Sequence, residues 1–242
     1  MIVKTEAICI KNTRYGESSV ISKMFTIEYG LSSFIIQGIN RKSSSIRPSH
    51  IAPGNILELV IYQKPNATIQ RVKELKVITP LLHVHIDMVK NAVLQFMLEI
   101  IAKTNEENLK DEIVFNFLRQ TICELEELTE DIGNVPLFFL SRYLKFSGWF
   151  PNLELWQKGD SFNLKEGRFG KAEILRTSDE LNESQSSELY EILLAVQNES
   201  FISKAKLTYR KDLFIALVKY FEFHILKGKR IKSPAILSEV LA

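Results

Sequence analysis

Through Pro80, apolar and polar positions alternate with the two-residue period of half-buried strands. Residues 2–10 alternate and are rich in β-branched side chains, and residues 20–25 and 31–37 flank a turn at Glu28-Tyr29-Gly30. Residues 56–62 alternate again, Pro65-Asn66 supplies turn chemistry, and residues 68–78 return. The pattern predicts five strands joined by short turns, with one longer connection over residues 39–54. Five such strands suffice to close a small barrel.

From Leu81 the apolar period becomes helical. Val89, Val93, Phe96, Met97 and Ile100 form one stripe, and a polar joint, TNEENLKDE, separates it from a second stripe of Ile113, Phe117, Thr121 and Leu125. A third helix is predicted over residues 135–146, stopped by Gly148, with two more over residues 183–197 and 209–226. Residues 149–172 read as an irregular insert containing Pro, Gly and scattered aromatics. The expected division is a barrel over residues 1–80 and a helical domain over residues 81–242.

Charge separates the same two parts. Through Pro80 there are eleven Lys and Arg against five Glu, a net +6, so the remainder carries −4 within an overall +2. A basic third joined to a mildly acidic remainder points to a polyanion partner for the barrel. Two cysteines, Cys9 and Cys123, make no disulfide framework and suggest a reducing compartment. No apolar run is long enough to span a bilayer and the first residues lack an export signal, so a cytoplasmic location is expected, with no membrane.

Catalytic chemistry finds little support. His83 and His85 lie near Asp87 without further ligands at metal spacing, and His50 and His224 stand apart. Cys9 and Cys123 sit among apolar neighbours, where burial makes a thiol inert. The carboxylates Glu124, Glu126, Glu127, Glu130 and Asp131 read as a solvated helix face. No phosphate-binding or nucleophile motif is present, and KEGRFGK reads as a hairpin turn. No enzyme is expected.

What remains is a basic barrel interleaved with aromatics. Lys and Arg neutralise phosphates, and aromatic faces stack on bases of any identity. Arg41, Lys42 and Arg47 are the expected phosphate contacts, with Arg14, Lys23 and Lys73 secondary; Tyr15, Tyr29 and Phe34 are the expected platforms. Phe25 reads as barrel core.

The segment RYGESSVISKMFTIEYGLSSFIIQGINRKSS also resembles the start of the bacterial recombination-repair RecO family. The ordered motifs of that family stand here as Tyr15-Gly16-Glu17, Phe25-Thr26, Glu28-Tyr29-Gly30 and Gln37-Gly38-Ile39-Asn40-Arg41-Lys42-Ser43-Ser44. PLFFLSRYLKFSGWFPNL and YFEFHILKGKRIKSPAIL resemble its central helix and its tail more weakly. The resemblance implies an α+β protein with an N-terminal five-stranded OB-fold barrel and an all-helical C-terminal domain.

It further implies a non-catalytic DNA-binding mediator of recombinational repair. Such a protein binds single- and double-stranded DNA, anneals strands and helps load recombinase on DNA coated by single-strand-binding protein (SSB), with RecR as a partner. The resemblance also implies capture of the acidic C-terminal tail of SSB, for which Arg119, Arg142 and Lys145 are the candidates beside Phe138, Phe139 and Phe146. Many relatives carry a four-cysteine zinc module; residues 150–171 contain no cysteine, so no cofactor is expected, with Trp156, Phe162 and Leu164 filling the insert instead. The alternative is an RNA-binding OB-fold protein acting in translation or RNA folding.

Overall fold

The computed structural model describes residues 1–39, 46–64, 67–171, 179–199 and 206–240. Five strands, β1 (Ile2–Tyr15), β2 (Ser19–Thr26), β3 (Gly30–Gln37), β4 (Ile56–Tyr62) and β5 (Ile69–Thr79), close into a barrel in the order β1-β2-β3-β5-β4. Every pairing is antiparallel except β3 with β5. This is the expected OB-fold, with helices following it. The alternating inward residues Ala7, Cys9, Met24, Phe34, Ile36, Leu57, Leu59 and Ile61 make the barrel core. The β3–β4 connection contributes Ile39, Ile46 and Ile51 to that core.

β1 runs five residues beyond its expected end because a bulge interrupts its alternation. Its register with β2 steps from Cys9 opposite Met24 to Lys11 opposite Lys23, so Ile10 and Lys11 together oppose one residue of β2. Beyond the bulge Asn12 and Arg14 share the inward side with Ser22 and Val20, while Lys11, Thr13 and Tyr15 share the outward side with Lys23, Ile21 and Ser19.

Helices α1 (His83–Ile86), α2 (Met88–Thr104) and α3 (Glu112–Glu127) complete the first compact unit, Met1–Glu127. The change of sequence pattern at Pro80 therefore falls inside a packed body. Asp87 caps α2 by accepting from the amides of Val89 and Lys90. The α3 stripe is Val114, Phe115, Leu118 and Ile122 beside the expected Phe117, Thr121 and Leu125, whereas Ile113 points to solvent.

Glu126 departs from the expected solvated face. It is buried, accepts from the amides of Leu82, His83 and Val84, and lies 3.0 Å from His83 Nδ1. Burial alone would raise the pKa of this carboxyl, but the three amides and His83 outweigh it and hold the group below its ordinary value.

The second compact unit, Leu128–Ala242, holds α4 (Val135–Ser147), α5 (Glu183–Gln197), α6 (Arg210–His224) and α7 (Ser233–Val240). Gly148 ends α4 in the left-handed conformation, and Asn182 with Gln185 forms a capping box on α5. The insert contains the hairpin β6 (Ser161–Asn163) and β7 (Arg168–Gly170), matching the turn expected at KEGRFGK. Phe162 and Leu164 are buried, Phe162 packs on Phe169 and Tyr220, and Trp156 stacks on Tyr190 at 4.0 Å. No helix among the described residues is long and apolar enough to cross a membrane.

Candidate nucleic-acid interface

Strand register assembles the basic face. One row across the outside of the barrel runs Lys11, Lys23, Ser33, Ile69, and the next runs Thr13, Ile21, Ile35, Arg71. A third row, Tyr15, Ser19, Gln37, reaches the β1–β2 turn. Lys11, Tyr15 and Arg71 are exposed, and the Arg71 guanidinium sits 5.9 Å from the ring centre of Tyr62. Cations, small polar groups and aromatics thus line the β2–β3 side of an OB-fold, where strand-spaced side chains meet a nucleic-acid backbone. Lys11 has no carboxylate partner among the described residues.

The expected residues distribute unevenly over this face. Tyr15 belongs to it, at 58% exposure. Arg14 lies at the barrel mouth, where its Nε donates to the Gly16 carbonyl at 3.3 Å and its side chain borders a cleft of about 370 Å³ with Asn12, Ile39 and Pro48. Arg47 is exposed on the same long connection as residues 40–45, at the start of the short turn Pro48–Ile51, where its amide donates to His50 Nδ1. Arg41 and Lys42 fall outside the described residues.

One expectation is overturned and three are qualified. Phe34 is not a platform: it points inward, fully buried in the barrel core, because β3 presents Ser33 and Ile35 outward instead. Lys23 is on the face but already bound, its Nζ 2.7 Å from Glu107 Oε1. Lys73 occupies a bulge beyond the part of β5 that pairs with β3, and a hydrogen bond to Glu74 raises its pKa. Tyr29 is half-buried against the barrel core and lines a cleft of about 390 Å³ with Gln63, Lys64 and Asn108. Lys11 and Arg71, which pattern reading passed over, are the face's clearest cations; only the register across the strands identifies them.

Glu107 belongs to the α2–α3 connection, which lies along the end of β3. The Asn108 amide donates to the Leu31 carbonyl at 3.0 Å, and Ser32 Oγ donates to Asn108 Oδ1 at 3.0 Å. Gly30, at φ 61°, lets the Leu109 carbonyl approach where a Cβ would lie 1.9 Å from its oxygen. On the covered end of the sheet, Phe25 packs against Phe115 at 5.9 Å.

The remaining candidates occupy two bodies. Arg119, in the first unit, stands 3.3 Å from Glu6 Oε2. Arg142 and Lys145 are in the second; Lys145 reaches the Val196 carbonyl at 3.4 Å and Glu199 at 3.8 Å. Phe138 and Phe139 are core residues of α4, and of that group only Phe146 is exposed.

Groups suited to catalysis or metal are otherwise engaged. Cys9 is buried and its pKa is pushed up to about 11 by loss of solvent. His85 Nε2 lies 3.0 Å from Asn55 Oδ1 and His224 Nε2 donates to the Leu164 carbonyl at 2.8 Å. No group of three His, Cys, Asp or Glu suited to a metal occurs among the described residues. Residues 150–171 offer no thiolate for a four-cysteine zinc module, and Phe162 and Phe169 pack together within the insert.

Comparison with known proteins agrees with the barrel and the helical region. Residues 1–81 match the family described as Recombination protein O N terminal, and residues 85–233 match Recombination protein O C terminal. The chain is 28% identical over 243 residues to a protein of Flavobacterium psychrophilum named DNA repair protein RecO, covering all of both chains. It is also 28% identical to proteins of the same name from Azobacteroides pseudotrichonymphae and Porphyromonas gingivalis, over 99% and 98% of each chain. With both halves of the chain matched in order, it belongs to the RecO family of DNA repair proteins.

Proposed function

We propose that this chain is a non-catalytic mediator of recombinational repair in the cytoplasm, binding DNA through the outward face of β1, β2, β3 and β5. The observation carrying this reading is the row Lys11, Lys23, Ser33 beside Thr13, Ile21, Ile35, Arg71. Glu107 meets the charge of Lys23, while Lys11 and Arg71 on the same face are exposed and have no carboxylate partner among the described residues. Phosphates of single- or double-stranded DNA supply the counter-charge, and Tyr15 offers a base platform. The face reads no sequence, which suits a protein that must act on any broken DNA.

Annealing of complementary strands, recombinase loading on SSB-coated DNA and association with RecR complete the reading, through family membership. Capture of the SSB tail is assigned to Arg142 and Lys145, with Phe146 as the apolar contact and Arg119 as a separate candidate. No metal takes part. The test is annealing of complementary strands coated with the cognate SSB: wild type accelerates it, Arg142→Ala fails on coated strands yet anneals naked ones. Equal binding of RNA and single-stranded DNA of one length, with no annealing, would favour the RNA-binding alternative.

A further inference from the structure

We infer that the C-terminal end of α6 and the turn after it form a second contact surface for single-stranded nucleic acid, separate from the barrel. Lys219 and Phe223 are one helical turn apart on α6, and the turn that follows the helix adds Lys227 and Lys229. Phe223 and Trp149 are exposed at 37% and 43%; Trp149 lies 4.4 Å from the His224 ring and Lys219 Nζ lies 5.7 Å from the Phe223 ring centre. The result is a short run of aromatic rings bordered by cations, the combination that holds a single strand by stacking and phosphate neutralisation.

The cations differ in how free they are. Asp179 pairs with both Lys165 and Lys219. Lys227 and Lys229 have no carboxylate partner among the described residues. They are nevertheless held in place by their backbone. The Gly228 amide donates to the Glu222 carbonyl, that of Lys229 donates to the Leu226 carbonyl, and Glu222 Oε1 accepts from the Ile231 amide at 2.8 Å. Ile231 is buried beneath the turn.

Lys227 is itself in the left-handed region, at φ 50°, immediately before Gly228 at φ 85°. A helix ending this way ordinarily places glycine or asparagine there, so a lysine is held against backbone preference. The helix dipole favours a cation at this terminus, but it does not account for two exposed aromatic rings beside it. A strand held here and another on the barrel would give one chain two contacts with DNA, as annealing requires.

The inference does not depend on the barrel reading, and one experiment separates them. A single-stranded oligonucleotide carrying 5-bromodeoxyuridine is photocrosslinked to the full chain and the attached residues are mapped. Crosslinks are expected at Trp149 or Phe223 as well as Tyr15, with the former reduced at least tenfold in the double variant Lys227→Ala, Lys229→Ala and the latter retained. Absence of crosslinks at Trp149 and Phe223 in the wild type, or their persistence in the double variant, overturns the inference. So would a lysine-dependent grip on an acidic peptide with no crosslink to the oligonucleotide, which would assign the surface to a protein partner. Loss of the Tyr15 crosslink alone would count against the barrel and leave this surface standing.

Discussion

Lys11 on β1 stands directly opposite Lys23 on β2, and the carboxylate that neutralises Lys23 comes from Glu107 in the connection between α2 and α3. The protein therefore occupies one of two opposed cations with its own acid and leaves the other open. On the proposed reading, Glu107 competes with phosphate for Lys23. Replacing it with Gln frees Lys23, which should tighten single-stranded DNA binding and steepen the dependence of log affinity on log salt by about 0.7. The pair is solvent-exposed, so the stability lost should stay below about 1 kcal/mol. Anisotropy titrations at several salt concentrations check this, and an unchanged slope would show that Lys23 does not meet phosphate.

The same connection makes Gly30 hard to replace. Gly30→Ala places a methyl group against the Leu109 carbonyl and forces a left-handed alanine. The backbone cost alone is about 1–3 kcal/mol, and displacing the connection adds to it. Urea unfolding should show a clearly lowered midpoint, whereas Gly16→Ala, with open space around its Cβ position, should lose less.

Glu126 predicts an acid-sensitive step. Its folded pKa lies below the ordinary value of 4.5, so its contribution is present above that pH and is lost as pH falls through the folded value. Glu126→Gln keeps one acceptor and should flatten the acid limb of the stability curve. Glu126→Ala strands buried amides and should cost about 1–3 kcal/mol at neutral pH. Unfolding free energies from pH 3 to 7 distinguish the variants, and parallel curves would contradict the assignment.

The legible part of this fold was whatever repeats locally. Strand alternation placed β2, β3, β4 and β5 within a residue or so, and the helical pattern placed α5 at its observed bounds. β1 was read short because the bulge after Cys9 breaks the alternation that would reveal its last residues. The same bulge turns Lys11 and Tyr15 outward, so the strongest candidate cation lay beyond the recognised strand. Phe34 illustrates the opposite difficulty: a phenylalanine on an alternating strand has two faces to choose from, and only pairing with Ser22 and the core decided it. Glu126 looked solvated because its amide partners lie more than forty residues away in sequence. Lys23 and Glu107 are likewise remote in sequence, and neither residue signals the other.

The most direct test of the barrel assignment is the salt dependence of single-stranded DNA affinity in the double variant Lys11→Ala, Arg71→Ala. Two lost phosphate contacts should lower the slope by about 1.4. Both side chains are exposed, so their removal should change stability by no more than about 1 kcal/mol in total, and weakened binding could not be ascribed to unfolding. A slope equal to that of the wild type, in a variant that unfolds at the same urea concentration, would contradict the account.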